Sequence, residues 1–196
     1  EKISIAIASD FCTDRTNQIV EEFIKSHPDR DIWIHKSEKH LGKTNAQNET
    51  QKLVKSEILV MTAATAILDN NAVRELVSSF THDDIVYVTG QLKYVNERKS
   101  STAASEGFYW KVDLKCRDIE SKIQTITAGN GALYAVRNCE YIEIAPIECH
   151  DSSFPLLYAL RKQRAIYNKE AIAYEKAGEV DQDEFKRKVR MNRKIL

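Results

Sequence analysis

The chain has 196 residues, of which 42% are hydrophobic and 30% are charged, a composition typical of one soluble globular domain. Its formal net charge of zero argues against a protein that binds nucleic acid over its whole surface. No apolar run approaches the ~20 residues that a membrane-spanning helix needs.

Strand-like and helix-like patterns alternate over the first half of the chain. Short apolar runs predict strands at 3–8, 32–35, 58–62 and 85–95. Between them, apolar residues at helical spacing and polar stretches predict helices at 13–25, 44–55 and 72–80. This order implies an α/β fold with a largely parallel sheet and helices on both faces.

The pattern changes after residue 95. Residues 96–105 are polar and rich in Ser and Thr, which favours a loop, whereas 106–122 predicts one long helix. The remaining segments are a glycine turn running into a strand at 127–137, a turn and helix at 150–163, short strands at 164–168 and 171–177, and a basic helix from 181. No repeat or boundary interrupts them, so the sequence predicts a single domain over 1–196.

The zero net charge conceals a basic C-terminus. Residues 184–196 contain six lysines and arginines and one acid. Such runs are most often solvated helices. They also attach to anionic membrane surfaces, where each basic residue contributes on the order of 1 kcal/mol.

The cysteines Cys12, Cys116, Cys139 and Cys149 are scattered and show no C-x-x-C spacing. This disfavours a zinc site and fits thiols in a reducing compartment. The chain also opens without a signal peptide and almost directly in a strand, which suggests a fragment of a longer protein. We therefore expect a cytoplasmic location, either soluble or tethered at the inner face of the membrane through the basic helix.

Several segments together form an ordered set of motifs. They are ASDFCTDRT at 8–16, GKTNAQN at 42–48, EILVMTAATAILDNN at 57–71, EGFYWKVDLKCRDIES at 106–121, AGNGALYAVR at 128–137, HDSSFPL at 150–156 and RKVRM at 187–191. Their order and spacing resemble those of the family 2 glycosyltransferases, which are inverting transferases with a GT-A fold. The resemblance implies a three-layer α/β sandwich with a mostly parallel twisted sheet and helices on both faces. It also implies a nucleotide-binding half (1–95), an acceptor and catalytic half (96–183) and a basic C-terminal helix (184–196).

The chain departs from the family pattern in two places. It begins at what would be the second strand, and Ala63 and Thr65 stand where the family has the two aspartates of its D-x-D motif. Those aspartates hold the ribose and a divalent metal, so Mg²⁺ or Mn²⁺ is the cofactor that the resemblance implies. Both metals need hard oxygen ligands, and alanine offers none. The sequence therefore predicts a donor site whose metal ligands are missing.

By resemblance, the donor nucleotide would contact Asp10, Lys43, Ala63, Thr65 and Arg190. Asp10 would accept a hydrogen bond from uracil; alternatively, it caps a helix or a turn. Lys43 follows a glycine turn at a helix start and would attract an anion, unless it is simply solvated. Arg190 would neutralise the leaving diphosphate, although a solvated basic helix is the commoner meaning of such a run.

Asp151 precedes x-x-x-P-L, and the resemblance implies that it is the catalytic base. Inverting transfer needs a carboxylate that deprotonates the acceptor hydroxyl. The alternative is an N-cap for the following helix, and both roles can hold at once. The acceptor would contact Trp110 and the turn residues Gly129, Asn130 and Gly131.

The sequence leaves two functions open. In the first, the chain transfers a sugar from a nucleotide-sugar, with a uridine nucleotide expected, to a hydroxyl of a glycan or lipid-linked acceptor with inversion. In the second, the fold persists as a degenerate, non-catalytic module that binds glycan, nucleotide or a protein partner. A further option is one piece of a larger transferase. No nucleic acid partner is expected.

Overall fold

The computed structural model describes residues 3–95 and 101–176, with the side chains of 101–111 left aside. The chain forms two compact units, Glu1–Lys55 with Glu143–Glu148 and Ser56–Ile142 with Cys149–Leu196. The predicted basic helix from 181 and part of the predicted loop, 96–100, lie outside the described residues.

The first unit contains a parallel pair of strands, β1 (Ser4–Ser9) and β2 (Asp31–Lys36), joined by helix α1 (Thr16–Ser26). Parallel neighbours need such a crossover because a tight turn cannot join them. Helix α2 (Lys43–Gln51) follows β2 and buries polar residues. It is anchored by side-chain hydrogen bonds, since Thr44 Oγ1 donates to Glu148 O at 2.6 Å and Asn48 Nδ2 donates to Ile144 O at 2.8 Å.

The second unit is built on a five-stranded sheet in the order β3-β6-β5-β7-β4. The strands are β3 (Ile58–Thr62), β4 (Ile67–Leu68), β5 (Ile85–Tyr94), β6 (Leu133–Arg137) and β7 (Arg164–Glu175). The helices are α3 (Ala72–Ser78), α4 (Ser101–Ile123) and α5 (His150–Leu160). One core cluster joins α3 to the sheet through Leu76, Val88, Leu133 and Ala173, all fully buried.

The sheet of the second unit is mixed, which corrects the prediction of a mostly parallel sheet. Only β5 and β7 pair in parallel there, while β6 runs antiparallel to both of its neighbours and β4 runs antiparallel to β7. Asn130 Nδ2 donates to Gly90 O at 2.6 Å, so the turn before β6 lies beside the middle of β5. From there β6 runs back along β5, with Tyr134 opposite Thr89 and Val136 opposite Tyr87.

Two elements differ from the patterns that predicted them. Helix α4 begins at Ser101, although the polar residues up to 105 predict a loop. Strand β7 is continuous over 164–175, although the sequence predicts two short strands with a break at 169–170. Those residues coincide with a shift in the β5–β7 register between Thr89 and Gln91. Asn168 there turns to helix α3, where its Nδ2 donates to Glu75 O at 3.0 Å.

Candidate active site

Asp151 lies in the first turn of α5, where a carboxylate is favoured by the helix dipole. The N-cap of the helix is Cys149, so the alternative of Asp151 as the N-cap is wrong. The residue before Asp151 fixes the start of the helix. His150 is buried, and its Nε2 forms a 2.9 Å hydrogen bond with the Tyr141 hydroxyl.

Pro155 explains how the start of α5 is tied to the glycine turn. A residue at position 155 would normally donate its N–H to the carbonyl of Asp151 four residues earlier, but proline has no N–H. The freed carbonyl of Asp151 instead accepts the N–H of Gly129 at 2.7 Å. The D-x-x-x-P spacing in this sequence therefore has a structural consequence. The proline leaves the carbonyl of the aspartate free to accept a hydrogen bond from another segment.

Two glycines frame Asp151. A β-carbon on Gly131 would lie 3.2 Å from Asp151 Oδ2 and 3.4 Å from its Cγ, closer than side chains normally approach. A β-carbon on Gly129 would overlap the Tyr87 hydroxyl and would lie 3.2 Å from the Asp151 carbonyl oxygen. The turn therefore wraps closely around Asp151, and the bare Gly131 faces its carboxylate.

Asn130 and Arg117 hold the glycine turn in place. The N–H of Asn130 donates to Thr89 Oγ1 at 3.0 Å, and its Oδ1 accepts the N–H groups of Ala132 and Leu133 at 2.9 and 3.0 Å. Arg117 Nη1 donates to Gly129 O at 3.2 Å, and Arg117 Nη2 pairs with Asp113 Oδ2 at 2.9 Å. The Asn130 side chain thus organises the turn, and its predicted contact with an acceptor stays a prediction.

Tyr87 lies beneath the turn and does not stand out in the sequence. Its side chain is fully buried, and its hydroxyl has no hydrogen-bond partner among the residues that the structure describes. Burial and, after it, the nearby charge of Asp151 raise the pKa of Tyr87 well above its ordinary value. Tyr87 is only one of several apolar-patterned residues of β5, so only the fold shows that its hydroxyl reaches Gly129.

The turn after β3 holds Ala63 and Thr65, the residues that the sequence predicts at the D-x-D position. Ala63 N–H and Thr62 Oγ1 both donate to Ala132 O, at 3.3 and 2.9 Å, so this turn adjoins the glycine turn. Thr65 is exposed, and its Oγ1 donates to Glu175 Oε1 at 3.0 Å. Glu175 is a second residue that sequence reasoning missed, because it lies 110 positions away and reaches Thr65 only through the pairing of β4 with β7.

These donors do not fit a resident divalent cation. The turn offers one carboxylate, Glu175, and two hydroxyls that already donate to protein oxygens. Mg²⁺ needs six and Ca²⁺ needs about six to eight oxygen ligands in a defined geometry. Within the described part of the chain, no group of three or more His, Cys, Asp or Glu side chains is placed to hold a metal ion.

The predicted donor residues Asp10 and Lys43 belong to the first unit. The Asp10 carboxylate accepts the N–H groups of Leu41 and Gly42 at 3.1 and 3.0 Å, and His40 Nδ1 lies 3.0 Å from its Oδ2. Asp10 therefore ties the segment after β1 to the segment before α2. Lys43 is the exposed first residue of α2, directly after Gly42, whose φ of 97° favours glycine.

Two predicted site residues cannot be placed. Arg190 and the basic segment 184–196 lie outside the described residues, and nothing is described of the Trp110 side chain. Of the other predicted residues, the structure brings Asp151, Gly129, Asn130 and Gly131 together in the second unit.

The sequence model of the family described as "Glycosyltransferase like family 2" matches residues 2–167. The chain belongs to this family. The resemblance on which the site was predicted is thereby confirmed. No curated protein sequence matches this family 2 domain significantly.

Solved structures show the same fold as this family 2 domain. A mannosyltransferase from Pyrobaculum calidifontis, in complex with GDP-Man and Mn²⁺, superposes with a TM-score of 0.76 at 18% identity, over 93% of this chain and 50% of its own. GalNAc-T7 with UDP, GalNAc and Mn²⁺ gives 0.67 at 10% identity, over 89% and 37%. TarS 1-349 of S. aureus with UDP-GlcNAc gives 0.62 at 14% identity, over 91% and 50%. The α/β GT-A fold is therefore confirmed, and this chain spans half or less of each solved chain.

Two further findings concern predictions made from the sequence. All four cysteines lie within the described residues, and none forms a disulfide. None of the described helices is long and apolar enough to cross a bilayer.

Proposed function

We propose that this chain is a glycosyltransferase domain that moves a sugar from a nucleotide-sugar, with uridine diphosphate as the expected carrier, to an acceptor hydroxyl with inversion. The observation that supports this most strongly is the setting of Asp151. Asp151 lies in the first turn of α5, and its carbonyl, left free by Pro155, accepts the N–H of Gly129. These contacts hold its carboxylate beside Gly131, which has no side chain. Such preorganisation is what a base must have if it is to act on a bound hydroxyl.

In the proposed reaction, an Asp151 carboxylate oxygen takes the proton from the acceptor hydroxyl. The acceptor oxygen attacks the anomeric carbon as the bond from that carbon to the nucleotide diphosphate breaks, so the configuration inverts. Gly131 contributes because it has no side chain: a larger residue there would crowd the carboxylate that the acceptor hydroxyl must reach. The proton then resides on Asp151 until it is lost to solvent.

The leaving diphosphate needs positive charge or hydrogen-bond donors nearby. We propose Arg190 for this task, as the family resemblance implies, because the residues around Ala63 and Thr65 do not fit a resident Mg²⁺ or Mn²⁺. A metal that enters together with the nucleotide would supply Lewis-acid stabilisation of the same oxygens.

The acceptor and the location remain proposals drawn from the sequence. We propose a glycan or lipid-linked acceptor that contacts Trp110 and the turn 129–131. We also propose a cytoplasmic location in which the basic segment 184–196 contacts an anionic membrane surface.

The test is turnover of UDP-sugars by the wild type and by Asp151→Asn. We expect the variant to lose about 100-fold or more in kcat, the range that a general base contributes, while its affinity for UDP by calorimetry stays unchanged. Asp84→Asn is the matched control, because Asp84 is a half-exposed carboxylate that pairs with Arg164 at 4.0 Å. Full activity in Asp151→Asn would refute the assignment of the base. A wild type that binds UDP but transfers no sugar would favour the non-catalytic module instead.

A further inference from the structure

Two helices hold the peptide groups of Gly129 at the same time. Its N–H donates to the Asp151 carbonyl in the first turn of α5, at 2.7 Å. Its own carbonyl accepts a hydrogen bond from Arg117 Nη1 of α4, at 3.2 Å. The Arg117 guanidinium is therefore two hydrogen bonds away from the backbone of the candidate base, and a displacement of Arg117 would move the turn that contacts Asp151.

The Arg117 side chain is itself fixed by a second partner. It is only 12% exposed, and its Nη2 lies 2.9 Å from Oδ2 of Asp113, one helical turn earlier in α4. That oxygen is buried and accepts no hydrogen bond from the described residues, so the guanidinium is the charge that compensates it. One planar fork thus serves the Gly129 carbonyl and the Asp113 carboxylate together, a geometry that the single ammonium group of lysine does not reproduce.

The part of α4 that carries Arg117 is anchored on the sheet. Ser121 Oγ donates to the Arg117 carbonyl at 2.7 Å and accepts the N–H of Tyr167 in β7, also at 2.7 Å. Arg117 therefore connects a helix that is fixed on the sheet with the turn that contacts Asp151.

Electrostatics around the buried Tyr87 hydroxyl agrees with this placement. Burial raises the pKa of Tyr87 most, the charge of Asp151 raises it further, and the charge of Arg117 lowers it. Both charges therefore lie close to one buried hydroxyl beneath the glycine turn.

We propose that Arg117 is a positioning residue for sugar transfer, which keeps Asp151 within reach of the acceptor hydroxyl by holding Gly129. Asp113 takes part by fixing the guanidinium. This inference rests on the proposed function, because it requires that Asp151 act as the base. A base must stay within hydrogen-bond reach of the proton that it takes, and a displacement of about 1 Å can lower the rate about 100-fold.

The experiment compares Arg117→Lys and Asp113→Asn with the wild type in steady-state transfer from the UDP-sugar that the wild type uses. We expect Arg117→Lys to lose about tenfold or more in kcat, while KM for the UDP-sugar stays unchanged. Hydrogen exchange of the peptide containing Gly129 should become faster. Asp113→Asn should change kcat in the same direction, and the double variant should be no slower than Arg117→Lys alone, because both residues act through the same contacts.

Arg137→Lys is the matched control. Arg137 is similarly covered, with 16% of its side chain exposed, and it pairs with Glu57 at 3.2 Å. It also donates to a backbone carbonyl, that of Ile85, at 3.1 Å, but it lies at the end of β6 remote from the glycine turn. Its replacement should lower the melting temperature as much as Arg117→Lys does, without changing kcat per folded molecule or the exchange of Gly129.

Three outcomes would overturn the proposal. If Arg117→Lys lowers the melting temperature as Arg137→Lys does but keeps the wild-type kcat and Gly129 exchange, the positioning role is wrong while the proposed function stands. The same conclusion follows if the loss in Arg117→Lys appears as a higher KM for the UDP-sugar at unchanged kcat. If the wild type transfers no sugar, the proposed function fails, and the role of Arg117 in it fails too.

Discussion

At the scale of single residues, the candidate site depends as much on what is absent as on what is present. Gly131 leaves the Asp151 carboxylate uncovered, and Gly129 leaves room for the Tyr87 hydroxyl. Proline at 155 removes one N–H and so redirects the Asp151 carbonyl. The sequence identifies these residues as a motif. Their separate tasks become visible only when the atoms that they touch are known.

Tyr87→Phe tests the buried hydroxyl. Because that hydroxyl has no partner among the described residues, its removal should leave the free energy of unfolding at pH 7 unchanged or raise it by up to about 1 kcal/mol. The raised pKa of Tyr87 gives a second expectation. The folded state favours the neutral phenol, so its contribution to stability is complete below pH ~10 and is lost as the pH rises above it.

The variant should therefore lose less stability than the wild type above pH ~10, as measured by denaturant unfolding across that range. Tyr167→Phe is a useful comparison, because burial raises the pKa of Tyr167 to about 12. A clear loss of stability in Tyr87→Phe at pH 7 would mean that the hydroxyl has a partner after all.

At the scale of elements, α5 and the segment 129–131 form one hydrogen-bonded unit. The sequence predicts the helix and the glycine turn separately, and it predicts both correctly as local structures. It does not predict that Gly129 donates its N–H to the carbonyl of Asp151. A hydrogen bond between segments so far apart in the chain produces no local sequence pattern from which it could be predicted. The continuity of β7 is not predicted for a related reason: Asn168 bonds to helix α3, and tertiary contacts of this kind override the weak preference of polar residues for loops.

Pro155→Ala tests the hydrogen bond between the glycine turn and the first turn of α5. Alanine restores an N–H that competes with Gly129 for the Asp151 carbonyl, so the glycine turn should loosen and turnover should fall about tenfold or more. Stability should not fall, because alanine is the better residue in a helix interior by about 3 kcal/mol. Faster hydrogen exchange of the peptide containing Gly129 would show the loosening directly. Pro28→Ala, at an exposed position, is the control. Unchanged exchange and turnover would show that the proline has no such role.

At the scale of the whole molecule, the chain combines the family fold with a turn after β3 that carries no aspartate. Solved relatives of the same fold were obtained with Mn²⁺, yet Ala63 and Thr65 offer no carboxylate here. The pairing of β7 with β4 and β5 brings Glu175 to this turn from the far end of the described chain. The tertiary structure thus places the carboxylate of Glu175 beside a turn whose own sequence contains no carboxylate at positions 63 and 65.

Ala63→Asp combined with Thr65→Asp should create a metal site, since it adds two carboxylates to Glu175. We expect the wild type to bind Mn²⁺ negligibly and the double variant to bind it at least about tenfold more tightly, because affinity follows the number of charged ligands. Calorimetric titration with Mn²⁺ alone measures this. The matched control is Ala63→Asn with Thr65→Asn, which has similar volume without charge. Equal Mn²⁺ binding by the wild type and the aspartate variant would contradict the assessment of this turn.

The sequence by itself determined the alternation of strands and helices and the family, and it predicts Asp151 as the candidate base. These follow from local periodicity and from motifs a few residues long, which each segment carries without help from the rest of the chain. Only the tertiary structure decided that β6 reverses, that the hydroxyl of Tyr87 reaches Gly129, and that Glu175 meets Thr65. Those contacts depend on the path of the chain between distant segments, and strand pairing fixes that path through hydrogen bonds that any backbone can make.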